Sequence, residues 1–251
     1  MADHERDQLA QQAYAVAARL LPQRFDGAAF AFAAGSLIRG QGTGHSDIDL
    51  VVVYPALARA WRESFFFDGL PVEAFVQDPE TLDYFMEEDL KSRCPIMISM
   101  VATGTILGPD IRSAEVIQAE ARAKMAAGPP PFKGPSYETL RYQISDHADD
   151  LRGERPAEEH VAIAALLHQK LADLILLGRG RWTARGKWIP RALNDLDAKL
   201  AAKFNAAFAD AFQGNTKRLI GLVEGELESH GGHFFNGFKL EAPLEARRRS
   251  E

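Results

Sequence analysis

Apolar residues Leu9, Ala13, Val16, Leu20 and Leu21 recur at helical spacing, which predicts an amphipathic helix over 6–21, stopped near Pro22. A short apolar run at 28–34 reads as a strand and gives way to a glycine-rich turn over 35–44. A second strand is expected over 47–54, apolar throughout except for Asp47 and Asp49 near its start. Residues 55–61 suit a short helix or turn. The stretches 63–67 and 72–77 then flank Asp68-Gly69, a dipeptide that favours a tight hairpin turn. Asp78-Pro79 opens a helical stretch through about Lys91, another element covers 96–102, 104–110 is turn-rich, and 113–125 reads as a helix. Strands alternating with helices predict an α/β (α+β) domain with a mixed sheet over 1–127.

The segment 128–135, G-P-P-P-F-K-G-P, cannot form regular structure and is expected to be a linker. Beyond it the periodicity is helical only, with helices expected over 137–151, 156–177, 191–212 and 216–229. Pro156 suits a first helical position. This half reads as an all-helical bundle domain of roughly four helices over 136–240, followed by a charged tail over 241–251.

Composition narrows the picture. With 251 residues, 46% of them hydrophobic and 25% charged, the chain can bury a sizeable core. Its formal net charge of -6 supplies no global basic field for long nucleic acid and favours a small or cationic partner. Cys94 is the single cysteine, so no intrachain disulfide forms, and a cytoplasmic location is expected. The polar N-terminus lacks the order of a signal peptide. No apolar run is read as a membrane span, because 161–177 is interrupted by His168, Gln169, Lys170 and Asp173.

The candidate chemistry lies in 35–53, G-S-L-I-R-G-Q-G-T-G-H-S-D-I-D-L-V-V-V. Residues two apart on a strand share a face, with Cα atoms roughly 6.6 Å apart, so Asp47 and Asp49 can converge on metal ions. Two like charges in a buried strand are costly unless a cation neutralises them. Oxygen-only ligands favour Mg²⁺, with Mn²⁺ as the alternative. Ahead of the acids, Gly35 and Ser36 end a strand and open a turn whose backbone N–H groups and hydroxyl can cradle phosphate oxygens.

A Gly-Ser turn followed eleven residues later by acid–apolar–acid–apolar resembles the nucleotidyltransferase superfamily. Its members include DNA polymerase beta, the aminoglycoside nucleotidyltransferases and the minimal nucleotidyltransferases. Gly35, Ser36, Asp47, Ile48, Asp49 and Leu50 carry the match, and Arg39 and Ser46 fit the form found in smaller bacterial members. The resemblance covers 28–77 and extends only loosely into the helical half. It implies a third carboxylate on a later strand. Glu73, on the face opposite Leu70, Val72, Ala74 and Val76, fills that place as metal ligand or as base, with Asp68 as its rival.

Arg39 is read either as a triphosphate contact or as a plain loop arginine. His45 is taken as a loop residue and His168 as a core histidine. The loop 178–190 sets Arg179, Arg181, Arg185 and Lys187 among two tryptophans, a composition suited to phosphates and bases. It is similar to a basic-aromatic segment of the antibiotic-modifying members, and Lys187 is its candidate nucleotide contact. The resemblance implies transfer of a nucleoside monophosphate, most simply AMP from ATP, from an Mg²⁺-bound NTP to a hydroxyl of a small, aminoglycoside-type acceptor. Two alternatives stand beside it: a protein- or RNA-modifying minimal nucleotidyltransferase of toxin–antitoxin type, and a non-catalytic nucleotide-binding regulator.

Overall fold

The structure, a computed structural model, describes residues 3–243 and 246–247, so the expected charged tail falls largely outside it. The chain divides into two compact units, Met1–Gly128 and Pro129–Glu251. The first is an α/β domain with a mixed sheet, and the second is all-helical.

In the first unit α1 (Asp3–Arg24) precedes β1 (Phe30–Ala34), α2 (Gly35–Ile38) and β2 (Ile48–Val53). The hairpin β3 (Trp61–Phe67) and β4 (Leu70–Gln77) follows, then α3 (Pro79–Ser92), α4 (Ile96–Thr103), β5 (Thr105–Leu107) and α5 (Ile111–Ala127). The sheet order is β3-β4-β2-β1-β5. β2 and β4 run parallel, while the other neighbouring strands pair antiparallel. Asp68 and Gly69 form the hairpin turn at φ 49° and 78°, the left-handed pair that a two-residue connection demands.

Alternation along the strands divides the sheet into two faces. Ala31 and Ala33, Ile48, Leu50 and Val52, and Val72, Ala74 and Val76 pack with Ala13, Val16, Ala17 and Leu20 of α1. Each fully buried Val, Leu or Ile among them contributes about 1.5–3 kcal/mol. On the other face α4 lies against β1 and β2. Covered on both sides, β2 is buried at Ile48 and from Leu50 to Val53, which explains its nearly unbroken apolar run.

Four expectations about elements are corrected. α1 continues past Pro22 to Arg24, because a proline in the last turn removes one hydrogen bond without unwinding the turns before it. Within the glycine-rich turn, residues 35–38 make a short helix. The turn-rich 104–110 contains β5, which pairs with β1 and gives the sheet its fifth strand. The single helix expected over 191–212 is two, α8 (Ile189–Leu196) and α9 (Ala198–Ala211). Asp197 leaves helical geometry at φ -161° and its carboxylate caps the N–H groups of Lys199 and Leu200.

The second unit therefore holds five helices, α6 (Pro135–Arg152), α7 (Ala157–Gly178), α8, α9 and α10 (Lys217–Glu228), among the described residues. Its core joins Ile144 and Leu151 to Leu167, Leu171 and Ile175, with Phe204, Phe208, Leu219 and Val223. His168 sits edge-on to Phe204 and Phe208, and burial lowers its pKa, so the neutral ring packs as a core side chain. By length and apolar content α7 would suffice to cross a bilayer, a correction to the reading of 161–177. Its apolar positions Ala164, Leu167, Leu171 and Leu174 form part of the unit's core.

Asp89 holds the corner between α3 and α4. Its carboxylate accepts the Ile98 N–H at 2.8 Å, together with those of Met97 and Ile96. Burial pushes its pKa from 3.8 up to about 6 despite these bonds, so the folded state holds this proton more tightly than the unfolded one. The resulting stability is present below 3.8 and lost as pH rises through about 6. Relative to Asp89→Asn, the wild type should therefore lose unfolding free energy between about pH 4 and 6 and change little above that. Denaturant titrations of both proteins across this range check it, and a flat difference would show that the carboxyl titrates normally.

Candidate active site

At the end of β1, Ala34 pairs with Asp49 of β2. The chain must leave the sheet there without touching that carboxylate. Gly35 does so at φ 90°, a left-handed conformation that L side chains rarely adopt. A Cβ at Gly35 would overlap the Asp49 carboxylate and lie 3.3 Å from the Asp49 backbone nitrogen. Ser36 follows, 5% exposed, and its carbonyl accepts the Gln41 N–H at 2.8 Å, which folds the loop back.

The next loop is closed by its own polar groups. Ser46 N–H donates to the Thr43 carbonyl at 3.0 Å, and Thr43 N–H donates to Ser46 Oγ at 2.9 Å. Ser46 thus shapes the approach to Asp47. Asp47 lies one residue ahead of β2, outside the strand expected to contain it. His45 is an exposed loop residue, as read from the sequence.

Parallel pairing of β2 with β4 sets Asp49 beside Glu73. Asp47, Asp49 and Glu73 are all half-buried, and one potential ligand atom from each lies within 4.8 Å of the others. Asp68 does not join them; it pairs with Arg19 at 2.7 Å. Three hard oxygen donors at this spacing fit a divalent cation such as Mg²⁺, which would offset the cost of gathering three negative charges. A second group within the same limit, Asp146, His147 and Asp150, lies on α6. There Asp150 is bound by Arg155 at 2.5 Å, and burial lowers the His147 pKa.

Arg62 on β3 forms an ion pair with Glu73 Oε1, and Ser64 Oγ approaches the same oxygen at 3.4 Å. Neither residue figured in the sequence reading, yet a signal existed. A two-residue turn at 68 and 69 sets 64 opposite 73, and hence 62 diagonally next to it on the same face. Arg39 donates to Thr103 Oγ1 at 3.4 Å.

The loop after α7 belongs to the second unit and is tied down by acids. Arg179 makes a two-pronged ion pair with Glu226, at 2.8 and 3.2 Å. Asp173 Oδ1 binds Arg185 at 2.8 Å, Gln169 at 2.9 Å and the Thr183 hydroxyl. Two of the loop's basic side chains are thus structural. Lys187 stays exposed, its Nζ 5.9 Å from the Trp188 ring, which also stacks with Arg191 at 4.5 Å.

No family model and no curated protein matches the sequence. Among solved structures, the chain is similar to a nucleotidyltransferase-like protein from Exiguobacterium sibiricum, at 13% identity and a TM-score of 0.43. That likeness covers 90% of this chain and 77% of the other.

Proposed function

We propose that the protein is a metal-dependent nucleotidyltransferase that moves a nucleoside monophosphate, most simply AMP from ATP, to a hydroxyl of a small acceptor. The observation that carries this reading is the meeting of Asp47, Asp49 and Glu73 against the Gly35 turn. The motif resemblance and the hard-oxygen donor set support it. A net charge of -6 supports a small or cationic acceptor over a long polyanion.

Asp47 and Asp49 would hold the divalent cation, with Glu73 as third ligand or as base. The bound cation would neutralise triphosphate charge and lower the cost of charge at the attacking oxygen. Gly35 lets the backbone pass the acids without a side chain, and Ser36 supplies a hydroxyl at the turn. Arg39 adds a guanidinium suited to phosphate oxygens, and Ser46 keeps the approach to Asp47 in shape. In the transfer, the acceptor oxygen bonds to the α-phosphorus as the bond from that phosphorus to the β-phosphate oxygen breaks. Pyrophosphate leaves with its electron pair, and the hydroxyl proton passes to Glu73 where Glu73 serves as base. Lys187 is proposed as a substrate contact of the helical unit.

The test is incubation with labelled NTPs, Mg²⁺ and a panel of hydroxyl-bearing acceptors, scoring label transfer and pyrophosphate together. Stoichiometric release of both is expected for at least one nucleotide–acceptor pair, abolished by chelator. NTP binding without transfer to any acceptor class would favour a nucleotide-binding regulator.

A further inference from the structure

We propose that Arg62 is the built-in counter-cation of the acid triad, competing with divalent metal for Glu73 and thereby setting the metal affinity of the site. This rests on the metal-site reading of Asp47, Asp49 and Glu73 given above.

The antiparallel β3–β4 register places Ser64 opposite Glu73 and Arg62 opposite Phe75. Arg62 therefore lies on the same sheet face as Glu73, one diagonal step away, within reach of a long side chain. Its guanidinium pairs with Oε1 of Glu73 and stands 5.0 Å from the centroid of the Phe75 ring. The pair is asymmetric: the Glu73 side chain is 20% exposed and that of Arg62 61%. A partly desolvated carboxylate beside two others needs positive charge nearby. Arg62 supplies one unit of it from the solvent side.

An exposed arginine is a weak and movable partner, because its charge is largely solvated and its side-chain freedom opposes the pairing. A divalent cation at the same carboxylates brings twice the charge at shorter range. Glu73 Oε1 is then claimed by two cations. Since the guanidinium pairs with that oxygen, metal binding would include the cost of loosening the pair and of bringing two positive charges together. Arg62 is a positioning residue in this account, acting on the metal through Glu73.

The experiment is Mn²⁺ binding to the full chain, followed by calorimetry and by the paramagnetic signal of free Mn²⁺ at fixed ionic strength. Arg62→Gln and Arg62→Ala should each bind Mn²⁺ about two- to tenfold more tightly than wild type. Arg62→Lys, which keeps the charge, should stay closer to wild type. In a Glu73→Gln background the gain from Arg62→Ala should shrink to less than half, because the shared oxygen is no longer charged. Unchanged or weaker Mn²⁺ binding in both Arg62→Gln and Arg62→Ala would overturn the proposal, and so would a gain that persists in full beside Glu73→Gln. Asp49→Asn separates the two levels. If that variant binds Mn²⁺ as well as wild type, the ion sits elsewhere and the metal-site reading itself fails. If it loses binding while the Arg62 variants match wild type, only the role of Arg62 falls.

Discussion

Asp49→Asn is expected to lower nucleotidyl transfer by at least about a hundredfold, some 2.7 kcal/mol or more of transition-state stabilisation, with the fold retained. Asp49 is the central member of the triad, paired with Ala34 on one side and with Glu73 on the other. Asparagine keeps the shape and the backbone pairing but removes the charge that would hold the cation. Asp47→Asn should behave alike, since its carboxylate belongs to the same cluster. Fold retention is checked by circular dichroism and thermal melting. The melts should also show the Mg²⁺-dependent rise in Tm, expected by mass action on the native state, shrinking in either variant. Transfer at near wild-type kcat by either protein would remove the two-acid mechanism.

Gly35→Ala should destabilise the fold by about 1–3 kcal/mol and cost about a hundredfold in transfer, although no functional group is removed. Two independent strains coincide at this residue: a φ of 90°, and a Cβ position that overlaps the Asp49 carboxylate. Relief of either moves the turn away from the acids or moves Asp49 out of the cluster, and a shift of roughly 1 Å in a catalytic group is enough for a loss of that size. Gly44 provides the control, because a Cβ there meets nothing within 4 Å. Gly44→Ala should stay within about 0.5 kcal/mol of wild type. Denaturant unfolding and transfer assays on both variants decide it. Equal behaviour of the two would mean that the Gly35 turn has no special relation to Asp49.

Much of the first unit could be read directly from local patterns. The hairpin followed from Asp68-Gly69, whose left-handed geometry fixes a two-residue connection. The acid-bearing strand followed from its apolar run and the face of Glu73 from the alternation of β4, while the expectation of a third carboxylate came from the resemblance alone. The short strand β5 was not legible, because three residues within a turn-rich stretch carry too little pattern to outweigh their glycines. The break at Asp197 was missed for a different reason. Apolar periodicity continues on both sides of it, and only the side-chain cap reveals that the helix restarts.

What the sequence determined by itself is what one turn or one strand decides. The glycine at the end of β1, the two acids at the start of β2 and the face on which Glu73 stands all follow from φ limits and from a period of two. What only the tertiary structure decided is which of these meet. Asp49 stands beside Glu73 because β2 and β4 pair in parallel, across the intervening β3, in a register set by long-range packing on α1. A shift of that pairing by one residue would turn the β4 carboxylate to the other face, and nothing local to either strand forbids it. Arg62, by contrast, reaches the carboxylate that it pairs with through the local register of the β3–β4 hairpin. Burial of the apolar faces of β2 and β4 against one helix selects a single register, and the acids are brought together as a consequence of that packing.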